Sequence, residues 1–515
     1  MDDLIRSALQ WLDPVQRIED FKQNPVSTQR TLLRNLLTTA AETEWGRRYD
    51  FAEIAAAEDV VAAYQERVPL HTYDDIEEDV LRVREGAADV MWPGTITNFA
   101  VSSGTVSEGK IIPISQETIN YNRTFSVGAG LYYLKNTLDG RFFLGNHLTL
   151  PGRVEEDPNY PGTLAGEISG ILAENAPGFF RAFFQAVPNE VSFIPNWEEK
   201  LRAIAERTVD QDIRMVVMAP TWAIVLFDEL LDVYNDRHAD TATTVSEVWP
   251  NLQLFIAGGV PLRSYRDLLE DKIGADIDFL ETYGASEGFF SFQDDLEDPS
   301  MLLHLENGVF YEFVPLEENG SDDPRRHTIE EVEPGVRYSL HVTSSSGLWA
   351  YEVGDVVQFT QTDPPKITVA GRTSEMIDEY GEALYGDEAR AALRHACDET
   401  GAHVVDYHIA PRSLQDGDEE RPGHEWVIEF DDSPENLDAF SDRLDEYLQD
   451  VNRHYQMRRE ARAFDAPTVS AVPDGTFYKW LKATKDEISG QTKVPRMSDD
   501  RDVADGVLGI VTRRN

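Results

Sequence analysis

Apolar positions along the chain recur first at helical spacing and later in short runs. Over roughly the first ninety residues, amphipathic helical patterns such as residues 28–43 alternate with acidic connections, which predicts a helical cap. From Phe99 onward, short apolar runs alternate with helical patterns, which predicts an α/β core with largely parallel sheets. The predicted strands cover residues 96–101, 142–144, 215–218, 252–256, 278–280, 308–313 and 338–342.

The pattern changes after residue 308 and again near Gly371. Residues 308–369 are richer in strand and turn signals, which is consistent with a small antiparallel sheet or a barrel-like subdomain. An α/β pattern restarts beyond Gly371, so we predict an N-terminal domain over residues 1–370 and a smaller C-terminal α/β domain over 371–515. The predicted C-terminal elements are a helix over 387–400, a strand over 403–409, an acidic linker over 415–421, a strand over 426–430 and a helix over 437–459.

Composition narrows the range of functions. The 515 residues are too many for one core, and 94 acidic against 46 basic residues give a net charge of −48. This charge argues against binding to nucleic acid or to an anionic membrane, and it favours a protein adapted to a salt-rich cytoplasm. We expect a cytoplasmic location because no apolar run approaches the length of a bilayer crossing. A single cysteine, Cys397, excludes an internal disulfide.

The segment that follows the strand predicted over 96–101 combines small residues, hydroxyls and one lysine. A glycine, Gly104, lets backbone N–H groups turn toward a polyanion, and Lys110 can neutralise its charge. The spacing is neither that of the Walker loop nor that of the dinucleotide motif. Both a phosphate-binding loop and an ordinary surface loop are compatible with this composition. The hydroxyl donors of the segment are Ser102, Ser103 and Thr105.

Two glycine-containing motifs follow later strands. Gly258-Gly259-Val260 separates a predicted strand from a helix, so its backbone could lie flat against a base or allow close strand–helix packing. The second motif offers an aromatic ring for adenine, a hydroxyl for phosphate and a carboxylate for Mg²⁺. It reads Glu281-Thr282-Tyr283-Gly284-Ala285-Ser286-Glu287-Gly288. Farther on, Asp355 ends a strand-like run, where it could accept the ribose hydroxyls or be a solvated turn residue.

With these motifs in order, the chain resembles the adenylate-forming superfamily, which includes acyl-CoA synthetases and luciferases. It resembles more closely the GH3 auxin-responsive family of acyl-acid-amido synthetases, and the similarity covers nearly the full length. The residues that carry the resemblance are Ser102-Ser103-Gly104-Thr105, Gly258-Gly259-Val260, the run from Glu281 to Phe290, the run from Phe310 to Pro315, and Tyr351 through Asp355.

The resemblance also implies roles for individual residues. Gly371-Arg372 looks like the superfamily hinge, which would bring Arg372 to the ribose, and Lys493 lies in a segment similar to the family's closing motif. Glu287 would hold Mg²⁺, and Lys110 and Lys493 would act on the phosphates. The remaining nucleotide contacts would come from Ser102, Ser103, Gly104, Thr105, Gly258, Gly259, Val260, Tyr283, Gly284, Ala285, Ser286 and Asp355.

One position departs from the family pattern. Ala383 stands where members commonly carry a lysine, so that phosphate contact must be absent or come from Lys485 or Lys493. The resemblance implies ATP-dependent activation of a carboxylic acid as an acyl-adenylate, followed by transfer to an amine, an amino acid above all. Two alternatives stay open, an acyl-CoA ligase and a non-catalytic nucleotide-binding scaffold.

Overall fold

The computed structural model describes most of the chain between Asp13 and Thr512. Side chains of Ser264, Arg453, His454 and Arg458 are not part of this description. The described residues are 13–101, 110–194, 196–260, 262–321, 323–373, 376–377, 382, 384–412, 423–460, 464–485, 493–498 and 500–512. None of the helices in this part of the chain meets the length and apolarity that a bilayer crossing requires.

The chain divides into two compact units. The described residues up to Val353, together with Val357–Val369, form the first unit. Gly354–Val356 and the described residues from Ala370 onward form the second. The change from one unit to the other therefore falls within two strands, and not in a separate linker. The assignment of ATP and acid binding to the first unit, and of mobility to the second, stays a prediction.

Six helices open the described part of the first unit, which confirms the helical pattern predicted for roughly the first ninety residues. The helix expected over 28–43 lies a few residues earlier. It begins at Pro25 because proline is favoured in the first turn of a helix. It ends before Thr43 because the Thr43 hydroxyl caps the following helix, where it accepts the N–H of Gly46 at 2.9 Å. The helices are α1 (Asp13–Gln23), α2 (Pro25–Ala40), α3 (Glu44–Arg48), α4 (Phe51–Ala56), α5 (Val60–Arg67) and α6 (Tyr73–Arg84).

A ten-stranded sheet forms the centre of the first unit, in the order β11-β12-β13-β14-β10-β9-β8-β7-β6-β3. Its strands are β3 (Asn146–Thr149), β6 (Ile213–Met218), β7 (Leu254–Ala257), β8 (Asp278–Ala285), β9 (Gly288–Phe292), β10 (Met301–Leu303), β11 (Val309–Pro315), β12 (Arg337–Ser344), β13 (Tyr351–Thr362) and β14 (Pro365–Arg372). The strands β3, β6, β7 and β8 pair in parallel, as predicted, whereas β8 pairs with β9 in antiparallel fashion. The strands β11 to β14 continue this sheet. Of the two forms expected for residues 308–369, a sheet or a barrel-like subdomain, the structure has the sheet.

A second sheet and eight further helices complete the described part of the first unit. The sheet has the order β2-β1-β5-β4, with β1 (Asn98–Val101), β2 (Ile111–Ile114), β4 (Val154–Glu156) and β5 (Leu164–Gly166). The helices are α7 (Gln116–Thr137), α8 (Ile168–Glu174), α9 (Gly178–Phe183), α10 (Asn189–Ser192), α11 (Trp197–Thr208), α12 (Pro220–Arg237), α13 (Val245–Val248) and α14 (Arg266–Ile273). The helices from α8 to α14 lie in the connections between the parallel strands β3, β6, β7 and β8, as an α/β pattern requires.

The strand predicted over residues 142–144 is wrong. Arg141–Leu144 forms a single turn of 3₁₀-helix, and the strand begins only at Asn146. Phe142 is buried against Tyr133, with ring centroids 5.5 Å apart, whereas Leu144 is 71% exposed. A run of three apolar residues is too short for its spacing to separate a strand from a helical turn.

The second unit combines helices with a three-stranded sheet in the order β17-β18-β19. The predicted elements near 387–400, 403–409 and 426–430 are confirmed. The strands are β15 (Met376–Ile377), β16 (Leu384–Tyr385), β17 (His403–Pro411), β18 (His424–Asp432) and β19 (Thr468–Val472). The helices are α15 (Gly386–Thr400), α16 (Leu437–Val451), α17 (Arg453–Glu460), α18 (Thr476–Thr484) and α19 (Asp502–Thr512). The acidic linker predicted over 415–421 lies outside the described residues.

The continuous helix predicted over residues 437–459 is wrong. The helix ends at Val451, and Asn452 has extended backbone dihedrals before α17 begins. The side-chain carbonyl of Asn452 accepts the N–H of Tyr455 at 2.9 Å, which caps the second helix, while its amide donates to Glu388 at 2.8 Å. An asparagine that finds two such partners is more stable at a helix boundary than inside a helix.

Two of the buried histidines of the first unit, His304 and His341, have strongly lowered pKa values. Burial raises the free energy of the charged form and lowers the pKa of His304 to about 3. Burial, assisted by the nearby Arg326 guanidinium, lowers the pKa of His341 to about 3 as well. In the unfolded chain both side chains titrate near 6.5. The folded state therefore excludes two protons that the unfolded state binds in acid.

We predict that the stability of the first unit falls as the pH drops from about 6.5 toward 3, with each histidine contributing up to about 1.4 kcal/mol per pH unit. The sign follows because lowered folded-state pKa values give stability that is present above the unfolded pKa and lost below it. Chemical denaturation at a series of pH values and constant salt measures this slope. His341→Gln should make the acid slope shallower. An unaltered slope in the variant would contradict the assignment.

Candidate active site

The carboxyl ends of the parallel strands β3, β6 and β7 lie at one edge of the large sheet. Pro151, Ala219 and Gly258 follow these strands directly or within two residues. In open α/β sheets, ligands bind outside this edge. Trp222, in the first turn of α12, is buried and packs on Trp197, with ring centroids 4.2 Å apart.

The glycines after β7 meet two different steric demands. A Cβ at Gly258 would approach Thr282 Oγ1 to 3.1 Å, and that hydroxyl donates to Ala257 O at 3.0 Å. Gly259 has φ +85°, a left-handed conformation that a residue with a Cβ adopts only with strain. Val260 follows, half-buried. The backbone at this turn is therefore specified by its glycines, whatever the ligand.

The motif after β8 forms a hairpin whose two-residue tip is buried. Ala285 pairs with Gly288, so Ser286 and Glu287 form the turn between β8 and β9. Ser286 is 8% exposed and Glu287 only 4%. A Cβ at Gly284 would lie 2.4 Å from the ring of Phe289, which explains why the strand carries glycine there. Hairpin tips are ordinarily solvated, so a buried carboxylate is unusual at this position.

The ring of Tyr283 lies in the hydrophobic core. Its side chain is 7% exposed and packs on Phe290, with ring centroids 5.3 Å apart. Little of the ring is therefore available at the surface, and the predicted stacking of adenine on Tyr283 stays a prediction.

Lys110 and Glu287 both lie near Tyr351, the first residue of β13. Lys110 Nζ lies 5.9 Å from the centroid of the Tyr351 ring. Burial raises the pKa of Tyr351, and the Glu287 carboxylate adds to this shift more than any other charge does. The structure thus brings together residues of two motifs that are far apart in sequence, around a tyrosine for which no role was predicted.

Asn122 is a second residue that sequence reasoning missed. It lies on α7 with 2% exposure, and its Oδ1 accepts the N–H of Phe289 at 3.3 Å. Its buried amide nitrogen has no hydrogen-bond partner in the described part of the chain. No motif marks this asparagine, because it lies 167 positions away in sequence from Phe289, the hairpin residue that it contacts.

The predicted ribose contacts, Asp355 and Arg372, lie on neighbouring strands in the second unit. Arg372 Nε is 3.7 Å from Asp355 Oδ1, and the Asp355 side chain is 13% exposed. The preceding residue, Gly354, has φ +88°, and its carbonyl accepts the N–H of Thr373 at 2.9 Å. The two predicted residues are therefore close together, while their contact with ribose stays a prediction.

Lys493 lies at the start of a segment that follows the edge of β17. Ile409 N donates to Arg496 O at 2.9 Å, and Ser498 N donates to Ile409 O at 3.1 Å. Lys485, the other available cation, directly follows α18. Both lysines are half-buried.

Several predicted residues cannot be placed. Ser102, Ser103, Gly104 and Thr105 lie outside the described residues, as does Ala383. Their proposed phosphate contacts, and the effect of Ala383, stay predictions.

Models of a single family match the chain in three consecutive stretches. The GH3 family N-terminal domain matches residues 14–141 and 126–277, the GH3 central domain matches residues 302–372, and the GH3 C-terminal domain matches residues 387–502. The chain belongs to the GH3 family. The resemblance seen in the motifs is thereby confirmed.

Relatives of the chain include synthetases from two plants. The chain is 22% identical to an indole-3-acetic acid-amido synthetase of Arabidopsis thaliana, over 93% of this chain and 90% of the relative. It is 24% identical to a jasmonoyl–L-amino acid synthetase of Nicotiana attenuata, over 91% of this chain and 90% of the relative.

Solved structures with the same fold include both kinds of acid-activating ligase. The GH3.15 acyl acid amido synthetase in complex with 2,4-DB matches with a TM-score of 0.78 at 17% identity, over 96% of this chain and 95% of that one. A 2-hydroxyisobutyryl-CoA ligase in the postadenylation state matches with a TM-score of 0.55 at 14% identity, over 94% and 91%. The predicted adenylate-forming fold is confirmed.

We predict opposite effects of the same substitution at two glycines of the first unit. Gly259→Ala should destabilise the protein by about 1–2 kcal/mol, because alanine is strained at a positive φ. Gly130→Ala, inside α7 with open space around its Cβ, should stabilise it by about 0.5–1 kcal/mol. Denaturant unfolding measures both values. Equal stability of Gly259→Ala and the unaltered protein would contradict the left-handed turn.

Proposed function

We propose that this chain is an ATP-dependent acid–amine ligase that activates a carboxylic acid as an acyl-adenylate and transfers the acyl group to an amino acid. The observation that supports this most directly is the buried Glu287 carboxylate at the tip of a hairpin, close to the same tyrosine as Lys110. A carboxylate and an ammonium near one point suit a metal-bound polyphosphate. The amido synthetase and amino acid synthetase activities of the similar plant proteins agree with this chemistry.

The donor groups present fit Mg²⁺ together with a nucleotide. Mg²⁺ is usually held by one or two carboxylates and by substrate phosphates, and Glu287 supplies one buried carboxylate. When bound, the ion would neutralise charge on the phosphate oxygens. Among the described residues, no group of three or more His, Cys, Asp or Glu side chains could hold a metal ion. Glu287 would therefore act jointly with the phosphates.

In the first step, a carboxylate oxygen of the acid attacks the α-phosphorus of ATP, and the bond to the pyrophosphate oxygen breaks. Lys110 neutralises charge that develops on the leaving pyrophosphate, and Ser102, Ser103 and Thr105 position the phosphates. Asp355 and Arg372 hold the ribose. The product is a mixed anhydride in which AMP is a good leaving group.

In the second step, the amine attacks the acyl carbon, AMP leaves with the electron pair of the broken bond, and the amine loses a proton. Lys493 is the cation that we assign to the phosphates in place of the family lysine lost at Ala383. The attachment of residues 495–498 along β17 gives this lysine a fixed support. Movement of the second unit between the steps, with the pivot at Gly371, forms part of the proposal.

We further infer that the enzyme works in concentrated salt. The net charge of −48 repels an anionic substrate such as ATP over long distances, and salt screens this repulsion within a few ångströms. Short-range contacts such as that of Lys110 are screened much less when they are partly buried. Assays should therefore cover a series of salt concentrations.

The deciding experiment is carboxylate-dependent exchange of labelled pyrophosphate into ATP, followed by assays of the acyl acceptor. We expect exchange with at least one member of a broad acid panel, and acyl transfer to amino acids but not to CoA. Transfer to CoA alone would favour the acyl-CoA ligase, whose fold the chain shares. Absence of exchange at every salt concentration would leave the non-catalytic scaffold as the better description.

We predict that Glu287→Gln lowers pyrophosphate exchange by on the order of a hundredfold, because the isosteric amide loses the charge that would hold Mg²⁺. Glu297→Gln removes the same charge from an exposed position in the next loop, and should leave exchange unchanged. Melting curves of both variants check that folding is retained. A Glu287→Gln enzyme with full activity would remove this residue from the metal site.

A further inference from the structure

The hydroxyl of Tyr351 differs from those of the other deeply buried tyrosines. Five tyrosines are among the largest fully buried side chains: Tyr64, Tyr311, Tyr338, Tyr351 and Tyr455. Four of their hydroxyls are hydrogen-bonded, to Thr343, to Asn307 and His304, to Glu333 and to Asp445. The Tyr351 hydroxyl has no hydrogen-bond partner within the described residues. An unpaired buried hydroxyl destabilises the folded state, so its presence needs another explanation.

The backbone on both sides of Tyr351 is held in place. His71 N donates to Ala350 O at 2.9 Å, and Glu352 N donates to His71 O at 2.8 Å. Ala350 has φ +47°, an unfavourable conformation for alanine, and its N–H donates to Thr343 Oγ1 at 2.9 Å. Strain of this kind persists only where surrounding contacts determine the conformation, and it concentrates at functional sites.

The segment that holds Tyr351 also holds the base of Lys110. The hydroxyl of Tyr73, two residues after His71, accepts the N–H of Ile111 at 3.0 Å. Ile111 follows Lys110 directly, so residues 71–73 fix the positions of Tyr351 and Lys110 relative to each other. The outcome is the 5.9 Å separation between the Lys110 ammonium and the Tyr351 ring. These contacts all lie within the first unit.

The chemistry of these neighbours selects the partner of the hydroxyl. A phenol keeps its proton at ordinary pH and can donate it in a hydrogen bond. An ammonium nearby favours an acceptor that carries negative charge, and a carboxylate nearby favours an acceptor that also binds a metal ion. A phosphate oxygen of ATP satisfies both conditions.

We infer that the Tyr351 hydroxyl donates a hydrogen bond to a phosphate oxygen of ATP and so positions the triphosphate beside Lys110 and Glu287. This inference rests on the proposed function and adds a residue to its site. The structural cost of leaving the hydroxyl unpaired is then explained by the bond it makes in the complex.

The test compares Tyr351→Phe with Tyr311→Phe, a buried tyrosine whose hydroxyl is already paired with Asn307 and His304. We expect Tyr351→Phe to melt at the same temperature as the unaltered protein or higher, since it removes an unpaired hydroxyl. Two quantities are measured for this variant: its affinity for a non-hydrolysable ATP analogue, by calorimetry, and its kcat/KM for pyrophosphate exchange. We expect at least one of them to fall by about ten- to a hundredfold. Tyr311→Phe should melt lower and keep both values.

Three results would overturn the inference. A Tyr351→Phe protein that binds the analogue and exchanges pyrophosphate like the unaltered protein would exclude the phosphate contact. A variant that melts lower with unchanged kinetics, or that fails to fold, would make the hydroxyl a structural group. If the unaltered protein neither binds the analogue nor exchanges pyrophosphate with any acid, the proposed function fails and the inference fails with it.

Discussion

The burial of the Glu287 side chain is the constraint on which the proposed site depends. A carboxylate at 4% exposure is costly unless charged or hydrogen-bonding groups compensate it. The fold keeps it buried by ending a parallel strand, β8, in a two-residue turn and returning as β9. The change from parallel to antiparallel pairing in the large sheet therefore occurs at the residue that carries the charge. Residues 71–73 in turn hold the backbone next to Lys110 and on both sides of Tyr351.

Long elements and motif positions could be predicted from the sequence, because each depends on local pattern. The helix expected over 387–400 is α15, and the strands near 215–218 and 426–430 are present. The break at Asn452 could not be predicted, since it depends on a hydrogen bond to Glu388, 64 positions away. The same holds for Tyr351 and Asn122, whose importance lies in contacts that no local spacing encodes. The glycine turns were predictable as turns, whereas the positive φ of Gly259 required coordinates.

The acidic composition changes how the site must work. A chain with 94 acidic residues offers a repulsive environment to any polyphosphate. Attraction therefore has to come from a few cations held at short range, where low local dielectric strengthens each contact. The lysines that we propose for this role are Lys110, 5.9 Å from the Tyr351 ring in the first unit, and Lys493, close in sequence to residues bonded to β17 in the second.

The turn between β8 and β9 also restricts how this part of the chain can evolve. Side chains alternate between the two faces of a strand, so adding or deleting one residue in a two-residue turn would shift the pairing and move every following side chain to the opposite face. Phe290 and Phe292, both fully buried, would then point away from the core. Because the pairing already contains one register shift, between Tyr283 and Gly284, a change of length between residues 281 and 292 could persist in descendants only with a second, compensating irregularity.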